Sequence, residues 1–500
     1  MKKQLIWIMT DTTRYDMVGC YGNPAMHTPN IDALAADGVR FQNAYTAQPV
    51  CGPARSLLFT GLYPHENGVW GNGLPLGADV KTIGQRLAEA GKRCAYIGKW
   101  HLDGGDYFGN GICPPGWDEA YWYDMKCYLD ELGTDELRLA SRRGETCRKP
   151  GGVERGFTYG ARCTDRALKY IDAHAGEDFF LTVSYDEPHG PSLCPEPFAS
   201  MFSDYVLPDT PAYHDTLEGK PLYQRLWADA FPQRGRPERA PLMLGCNAFI
   251  DDEIGKIVAR IHEKLPDALI LFTSDHGAAM GAHGLSAKGA AVYDEIARVP
   301  LIFSGCACQK GKVYRHVVSH ADLPATVLHY MGVRVPDAFT GRSLTRVLQD
   351  GEGEEPGEAF IEFGRYERDH DGFGGYQPMR AVITDRYKLA LHLTDSDELY
   401  DIQNDPYNLN NLILNEQTAA ERDRLHDRVL DFMNRTRDPF RGYQWGCRPW
   451  RAEYAPKWEV DGWTRQPENE PGEYRQKDYD TGLTMQNASR HKEKREDTKV

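Results

Sequence analysis

Long apolar runs are missing from this 500-residue chain: no stretch approaches the roughly 20 residues that a membrane helix needs. The nearest imitation of a secretory leader is Leu5 to Met9 after Lys2 and Lys3. It is too short, has no small-residue cleavage site and runs straight into Asp11, Arg14 and Asp16. It reads as a buried first strand, and the chain is expected to be soluble and cytoplasmic, with no membrane partner. Basic charge is also short. Against 73 Asp and Glu stand 58 Lys and Arg, a net charge of −15, which argues against nucleic acid and anionic membrane surfaces as partners. A field of that sign repels anions at long range, so any anion site must be a local cluster of cations strong enough to reverse it. Finally, the 12 cysteines contain no C-x-x-C pair, and Cys306 with Cys308 lacks a second pair at zinc-site spacing. Most of them read as buried free thiols, a state typical of a reducing compartment.

What is present is the pattern of an α/β enzyme. Short apolar or β-branched runs (Gln4 to Met9, Cys94 to Ile97, Phe179 to Ser184, Ala268 to Thr273, Val299 to Phe303) alternate with amphipathic segments such as Lys81 to Ala90, Thr164 to Ala173 and Leu242 to Lys264. The alternation predicts a large, mostly parallel or mixed sheet sandwiched by helices over residues 1–345. A Gly/Glu-rich stretch, Asp350 to Glu358, reads as a linker. It leads to a smaller α+β subdomain over 358–437, with strands at Met379 to Thr384 and Tyr387 to Leu393 and a helix from Thr418 to Asn434. Residues 438–500 read as an extended segment rich in Trp and Arg, packed over the main domain, with a polar tail.

The chemically suggestive residues come directly after the expected strands: Asp11 and Thr12 the first, Lys99 and His101 the second, His189 the third, Asp275 and His276 the fourth. Ligands of open α/β sheets bind at the carboxyl ends of strands, so four stretches of chain should converge on one crevice. In Cys51-Gly52-Pro53-Ala54-Arg55, the proline suits a first helical turn and Gly61 a helix end. Cys51 should therefore sit at a helix N-terminus, where an anion is favoured, with Arg55 one turn along. Taken singly, these residues also admit plain structural readings: a core cysteine, a strand-end cap for Asp11, an N-cap for Asp275, a satisfied buried histidine for His276. His283 and His320 lie near the motifs and are read as structural.

The stretch from Cys51 to Gly61 resembles the signature of the type I sulfatases, members of the alkaline phosphatase superfamily. Further motifs of that family recur in order: Gly98-Lys99-Trp100-His101-Leu102, Pro188-His189-Gly190-Pro191, Thr273-Ser274-Asp275-His276-Gly277 with Lys288 downstream, and the closing Leu399-Tyr400-Asp401-Ile402-Gln403-Asn404-Asp405-Pro406. The resemblance implies an alkaline phosphatase-like fold and hydrolysis of an organic sulfate monoester. It implies that Cys51 is oxidised to formylglycine by a maturase, oxygen-independent if the chain is cytosolic. It also implies a divalent cation held by Asp11, Asp275, His276, residue 51 and Thr12. Oxygen-rich ligation suits Ca²⁺ or Mg²⁺, the resemblance favours Ca²⁺, and the imidazole leaves Mn²⁺ open. Many relatives carry a second Asp where Thr12 stands, so this ligand departs from the family's pattern.

By the same resemblance, Lys99, His101 and Lys288 contact sulfate, Arg55 steadies the nucleophile, and Asp275 helps activate it. His189 protonates the leaving oxygen and His101 assists breakdown of the hemiacetal. Arg365, Arg368 and His370, in the loop from Phe363 to Tyr376, are candidates to bind the rest of the substrate, a small molecule or oligosaccharide. Trp445, Trp450, Trp458 and Trp463 could stack on a sugar ring or serve in packing. Two other readings belong to the same superfamily: a phosphonate monoester hydrolase or phosphodiesterase, and a noncatalytic sugar-binding relative. The Gly-Lys-Trp-His-Leu stretch speaks against the first, the intact set of reactive residues against the second.

Overall fold

The structure, a computed structural model, describes residues 2–105, 107–140, 152–230, 240–350, 357–366 and 376–451. Seven strands form the main sheet: β1 (Gln4–Asp11), β2 (Gly38–Tyr45), β3 (Arg93–Gly98), β4 (Phe179–Pro188), β5 (Leu269–Ser274), β6 (Arg298–Gly305) and β7 (Lys312–Ser319). Their order is β3-β4-β1-β5-β6-β2-β7. β6 runs antiparallel to both β5 and β2, while the other neighbours are parallel. The sheet is thus mixed, with all strands but β6 pointing their carboxyl ends to one edge.

Alternation of side chains divides the core in two. Ile6 and Ile8 of β1 face the layer of Tyr159–His174 and Ala240–Lys264, with Ala167, Ile171, Ile250 and Ile257 in the same cluster. Leu5, Trp7 and Met9 face Cys51–Thr60, Ile83–Glu89 and Asp322–Tyr330, which contribute Leu58, Phe59, Leu87 and Val327. Every residue of β1 is buried, as expected of a central strand covered on both faces.

β2 and β7 were not expected from the sequence. Gly38–Tyr45 holds Arg40, Gln42 and Asn43, and Lys312–Ser319 holds Arg315 and His316, so neither shows an unbroken apolar run. Their apolar residues, among them Val39, Phe41, Ala44, Tyr314, Val317 and Val318, are nevertheless buried, with β2 held between β6 and β7 and β7 at the sheet's edge.

A second, antiparallel sheet consists of β8 (Ala359–Phe363), β9 (Met379–Ile383), β10 (Tyr387–His392) and β11 (Glu398–Asp401). One face receives the helix Ala419–Arg435 through Val382, Leu391, Leu425 and Val429. The other lies on the main body through Ile361, Ala381, Trp227 and Tyr293. Trp445 is a core residue 1% exposed, not a sugar platform, and Trp450 packs on Arg422 and His426. Trp458 and Trp463, with most of the polar C-terminal segment, lie outside the described residues.

Candidate active site

The crevice forms where β1, β3, β4 and β5 end beside the helix Cys51–Thr60. Val50 precedes that helix in extended backbone, Pro53 occupies its first turn, and Gly61 ends it at φ 72°, the left-handed value that favours glycine. All ten of its residues are buried. The amide of Gly52 donates to Asn72 Oδ1 at 2.9 Å, which fixes the start of the helix. The Sγ of Cys51 therefore stands at a helix N-terminus in the wall of the crevice, in the place a formylglycine oxygen would take.

Around that sulfur stand Lys288 Nζ at 2.8 Å, His276 Nε2 at 3.3 Å, Asp11 Oδ1 at 3.7 Å and Lys99 Nζ at 3.8 Å, with His101 also within hydrogen-bond reach. Burial and Asp11 push the thiol's pKa up, but Lys288, Lys99 and His276 together bring it well below its ordinary value. The position is built for negative charge, the local reversal that a net charge of −15 demands.

Arg55 is a buried brace. Its Nε donates to Asp275 Oδ2 at 3.0 Å, its Nη1 to Lys99 O at 2.6 Å and Ser184 Oγ at 2.8 Å, and its Nη2 to Asp11 Oδ2 at 3.3 Å. One guanidinium thus ties the Cys51–Thr60 helix to the ends of β1, β3, β4 and β5. Lys99 comes after Gly98, whose φ of 120° brings β3 so close to β4 that a Cβ there would lie 1.9 Å from Ser184 O. Its ammonium bonds Asp11 Oδ2 at 2.5 Å and Asp186 Oδ1 at 3.2 Å. His101, at φ 61°, is buried and hydrogen-bonded to Cys51. Burial pushes its pKa down, so the ring is neutral at pH 7 and able to accept a proton.

The carboxylates are pushed apart. Burial raises Asp11, but Lys99, Lys288, His189 and His276 outweigh it and hold Asp11 well below the usual range. Asp275 is pushed up to about 6 by burial and by the charge of Asp11. His276 donates Nδ1–H to the carbonyl of Gly277 at 2.8 Å, which turns Nε2 toward Lys288, residue 51 and the two carboxylates; burial lowers the ring's pKa, but Asp275 and Cys51 outweigh it and raise it. Asp11, residue 51, Asp275 and His276 present ligand atoms all within 4.8 Å of one another, and all four are buried. Two carboxylates and an imidazole nitrogen gathered beside residue 51 make a donor set that fits a divalent cation. Thr12 lies beside them, its hydroxyl donating to Asp11 Oδ1 at 2.6 Å.

His189 stands half-buried at the mouth. Its Nδ1 donates to Gly190 O at 3.0 Å. Arg365 is half-buried beyond β8, its charge felt by Tyr376, while Arg368 and His370 lie outside the described residues. His283 and His320 are buried, His283 against Asp215 at 2.7 Å.

Three residues in or around the crevice went unremarked in the sequence. Asp186 shares Lys99 with Asp11. The ring of Tyr107 lies 3.9 Å from Lys99 Nζ, 5.7 Å from the ring of His101 and 5.2 Å from that of His189. Tyr366 faces Lys288, and its carbonyl receives Asn72 N–H at 3.0 Å. Asp186 could have been found as a strand-end carboxylate; Tyr107 and Tyr366 sit in loops without any pattern.

The family model described as Sulfatase matches residues 3–333, and the one described as N-sulphoglucosamine sulphohydrolase, C-terminal, matches residues 281–435. The chain is 41% identical over 493 residues to the uncharacterized sulfatase YidJ of Escherichia coli (strain K12), covering 97% of each chain. Its fold is similar to that of a phosphonate monoester hydrolase from Silicibacter pomeroyi, with TM-score 0.74 and 23% identity over 87% of this chain and 96% of that one. A protein solved in complex with its substrate D-glucosamine-2-N,6-O-disulfate is also similar, with TM-score 0.71 and 21% identity over 88% of this chain and 99% of that one.

Proposed function

The chain belongs to the sulfatase family and hydrolyses sulfate esters; from that premise we propose that its substrate is a sulfated carbohydrate and its nucleophile a formylglycine made from Cys51. The observation that carries the nucleophile is the setting of residue 51, at the N-terminus of a buried helix with Lys288, Lys99 and His276 within 3.8 Å. The carbohydrate reading takes its support from the similar fold solved with a sulfated glucosamine.

Asp11, Asp275, His276, Thr12 and the residue-51 oxygen would hold the cation, with Ca²⁺ first and Mg²⁺ or Mn²⁺ as the other candidates. The bound ion would supply positive charge beside the sulfur and the attacking oxygen. The aldehyde hydrate of formylglycine would supply two hydroxyls on one carbon, one to attack sulfur and one to release its proton afterwards.

The remaining steps fall to this chain's side chains. Lys99 and Lys288 bind the sulfate oxygens and offset the charge that builds on them. Arg55 keeps residue 51 and Asp275 in register. Asp275, its carboxyl pushed up to about 6, is suited to take the proton of the attacking hydroxyl at neutral pH. His189 delivers a proton from Nε2 to the departing sugar oxygen. His101, neutral through burial, takes the proton of the second hydroxyl as sulfate is expelled.

The test is paired turnover of a sugar sulfate, a nitrophenyl sulfate and a phosphonate monoester by protein matured alongside a suitable maturase. A sugar sulfate preferred over the other two supports the reading. Preference for the phosphonate would move the chain to the neighbouring activity suggested by its fold likeness.

A further inference from the structure

A second cluster of cations lies where the two sheets meet. The helix Ala419–Arg435 presents Arg424, Arg428 and Arg435 at i, i+4 and i+11, one face of the helix, and Arg342 reaches the same space from the main body. Together they line a cavity of about 440 Å³, whose lining includes Ser319, the last residue of β7, and Asp322 just after it. Only two carboxylates share that lining with the four arginines. Glu358 pairs with Arg428, Nη2 to Oε2 at 2.5 Å and Nε to Oε1 at 3.0 Å. Both oxygens of Asp322 accept backbone N–H groups, from Ser319 at 2.9 Å and Arg342 at 2.8 Å. Arg424 is engaged by Glu421 at 2.7 Å, on the helix itself. Arg435 is exposed and forms no salt bridge among the described residues. The buried hydroxyl of Thr340, also in the lining, has no hydrogen-bond partner among them.

An ion-paired guanidinium still has N–H donors to spare, and several on one concave wall suit a tetrahedral oxyanion. We propose that this cavity is a second oxyanion site, taking a sulfate or phosphate group. β7 is four strands from β1 in the sheet, about 19 Å at the spacing of neighbouring strands. Its carboxyl end lies on the same edge as the crevice, because β7 and β1 run in the same direction. The anion can therefore come from either of two sources: a second sulfate on an extended substrate, or free inorganic sulfate or phosphate. The site stands without the carbohydrate reading; only its use by an extended substrate rests on it.

The test is titration calorimetry with inorganic sulfate and phosphate, with selenate located in crystals by its anomalous signal. The native protein should take up two anions per chain, one in the crevice and one in the arginine cavity. Arg435→Ala, at an exposed position that leaves the fold's core intact, should weaken the second by about ten-fold or more. Arg342→Ala should do the same, with thermal melting to verify folding. One anion per chain in the native protein, or unchanged affinity in both variants, overturns the site. Turnover identifies the source. If Arg435→Ala lowers kcat/KM for a disulfated oligosaccharide while sparing nitrophenyl sulfate, the second group belongs to the substrate. If both rates hold while inorganic anion binding falls, the ligand is the free anion.

Discussion

The ammonium of Lys99 is shared by two carboxylates, Asp11 Oδ2 at 2.5 Å and Asp186 Oδ1 at 3.2 Å. Their protons are driven in opposite directions. Asp11 is held low by the surrounding cations, whereas burial and the charges of Asp11 and Glu187 push Asp186 well up, against the pull of Lys99. Asp186 therefore holds its negative charge less readily than Asp11, and its expected part is to aim the ammonium as a hydrogen-bond acceptor. Asp186→Ala should lower kcat/KM by about ten- to a hundred-fold, the worth of one hydrogen bond to a charged group. Asp186→Asn keeps an oxygen for the ammonium and should retain most of the activity. Equal losses would mean that the charge of Asp186 is what Lys99 needs.

Active protein should carry formylglycine at position 51. Peptide mass spectrometry of the segment from Val50 to Arg55 checks it: the thiol and one hydrogen are replaced by a carbonyl oxygen. Cys51→Ala should abolish turnover while leaving the melting temperature nearly unchanged, since the helix keeps its buried apolar face. Active protein with only a thiol at position 51 would end the nucleophile assignment.

Much of this site was legible in the sequence because a sheet's carboxyl edge gathers the residues just past each strand. Asp11, Lys99, His189 and Asp275 could be placed in one crevice from strand ends alone, and Cys51 from the proline and glycine that bracket its helix. Arg55 was legible as a neighbour of residue 51, but its reach to the ends of β1, β3, β4 and β5 is a tertiary fact. Tyr107 and Tyr366 were invisible, because their approach to Lys99 and Lys288 depends on loop paths that no periodicity encodes. β2 and β7 were missed for a related reason: strands near the sheet's edge that carry polar residues lack the apolar run that marked the central ones. The antiparallel direction of β6 was equally hidden, since Val299 to Phe303 reads the same in either direction.

Loss of activity on metal removal is expected from the donor set. Asp275→Ala takes away a carboxylate that also holds Arg55, so it loosens both the cation and the nucleophile helix. A loss of roughly a hundred- to a thousand-fold in kcat is expected, with folding intact. Prolonged chelation of the native enzyme should reproduce it, and restoring Ca²⁺, Mg²⁺ or Mn²⁺ singly identifies the ion. Undiminished turnover in protein shown to be metal-free by elemental analysis would contradict the assignment.

Acid stability should depend on Asp294, which joins the two parts of the chain. Its carboxylate accepts from Lys388 of β10 at 2.5 Å, Arg298 at 3.1 Å and Tyr45 at 3.0 Å. Burial raises its pKa, but the pull of Lys388 and Arg298 prevails and lowers it from 3.8 to about 2. A carboxyl with a lowered folded pKa stabilises fully above its unfolded value and loses that contribution as pH falls through the folded one. Asp294 should therefore contribute about 2 kcal/mol at neutral pH that disappears between roughly pH 4 and pH 2. In Asp294→Asn, denaturation midpoints should be lower than native at pH 7 and converge with it near pH 2. Parallel curves across that range would assign the group a role independent of its charge.

The proton for the leaving oxygen gives the most discriminating measurement. His189 holds its ring by Nδ1–H to Gly190 O, with the ring of Tyr107 5.2 Å away. A sugar alkoxide is too basic to depart without a proton, whereas a nitrophenolate leaves as an anion. His189→Ala should therefore cripple hydrolysis of a sugar sulfate and spare much of the turnover of nitrophenyl sulfate. Lys99→Ala removes charge from the sulfate itself, which both substrates share, and should harm both alike. The contrast is read as paired ratios of kcat/KM. If His189→Ala costs both substrates equally, His189 positions or binds, and Lys288, 2.8 Å from residue 51, becomes the group to test as acid.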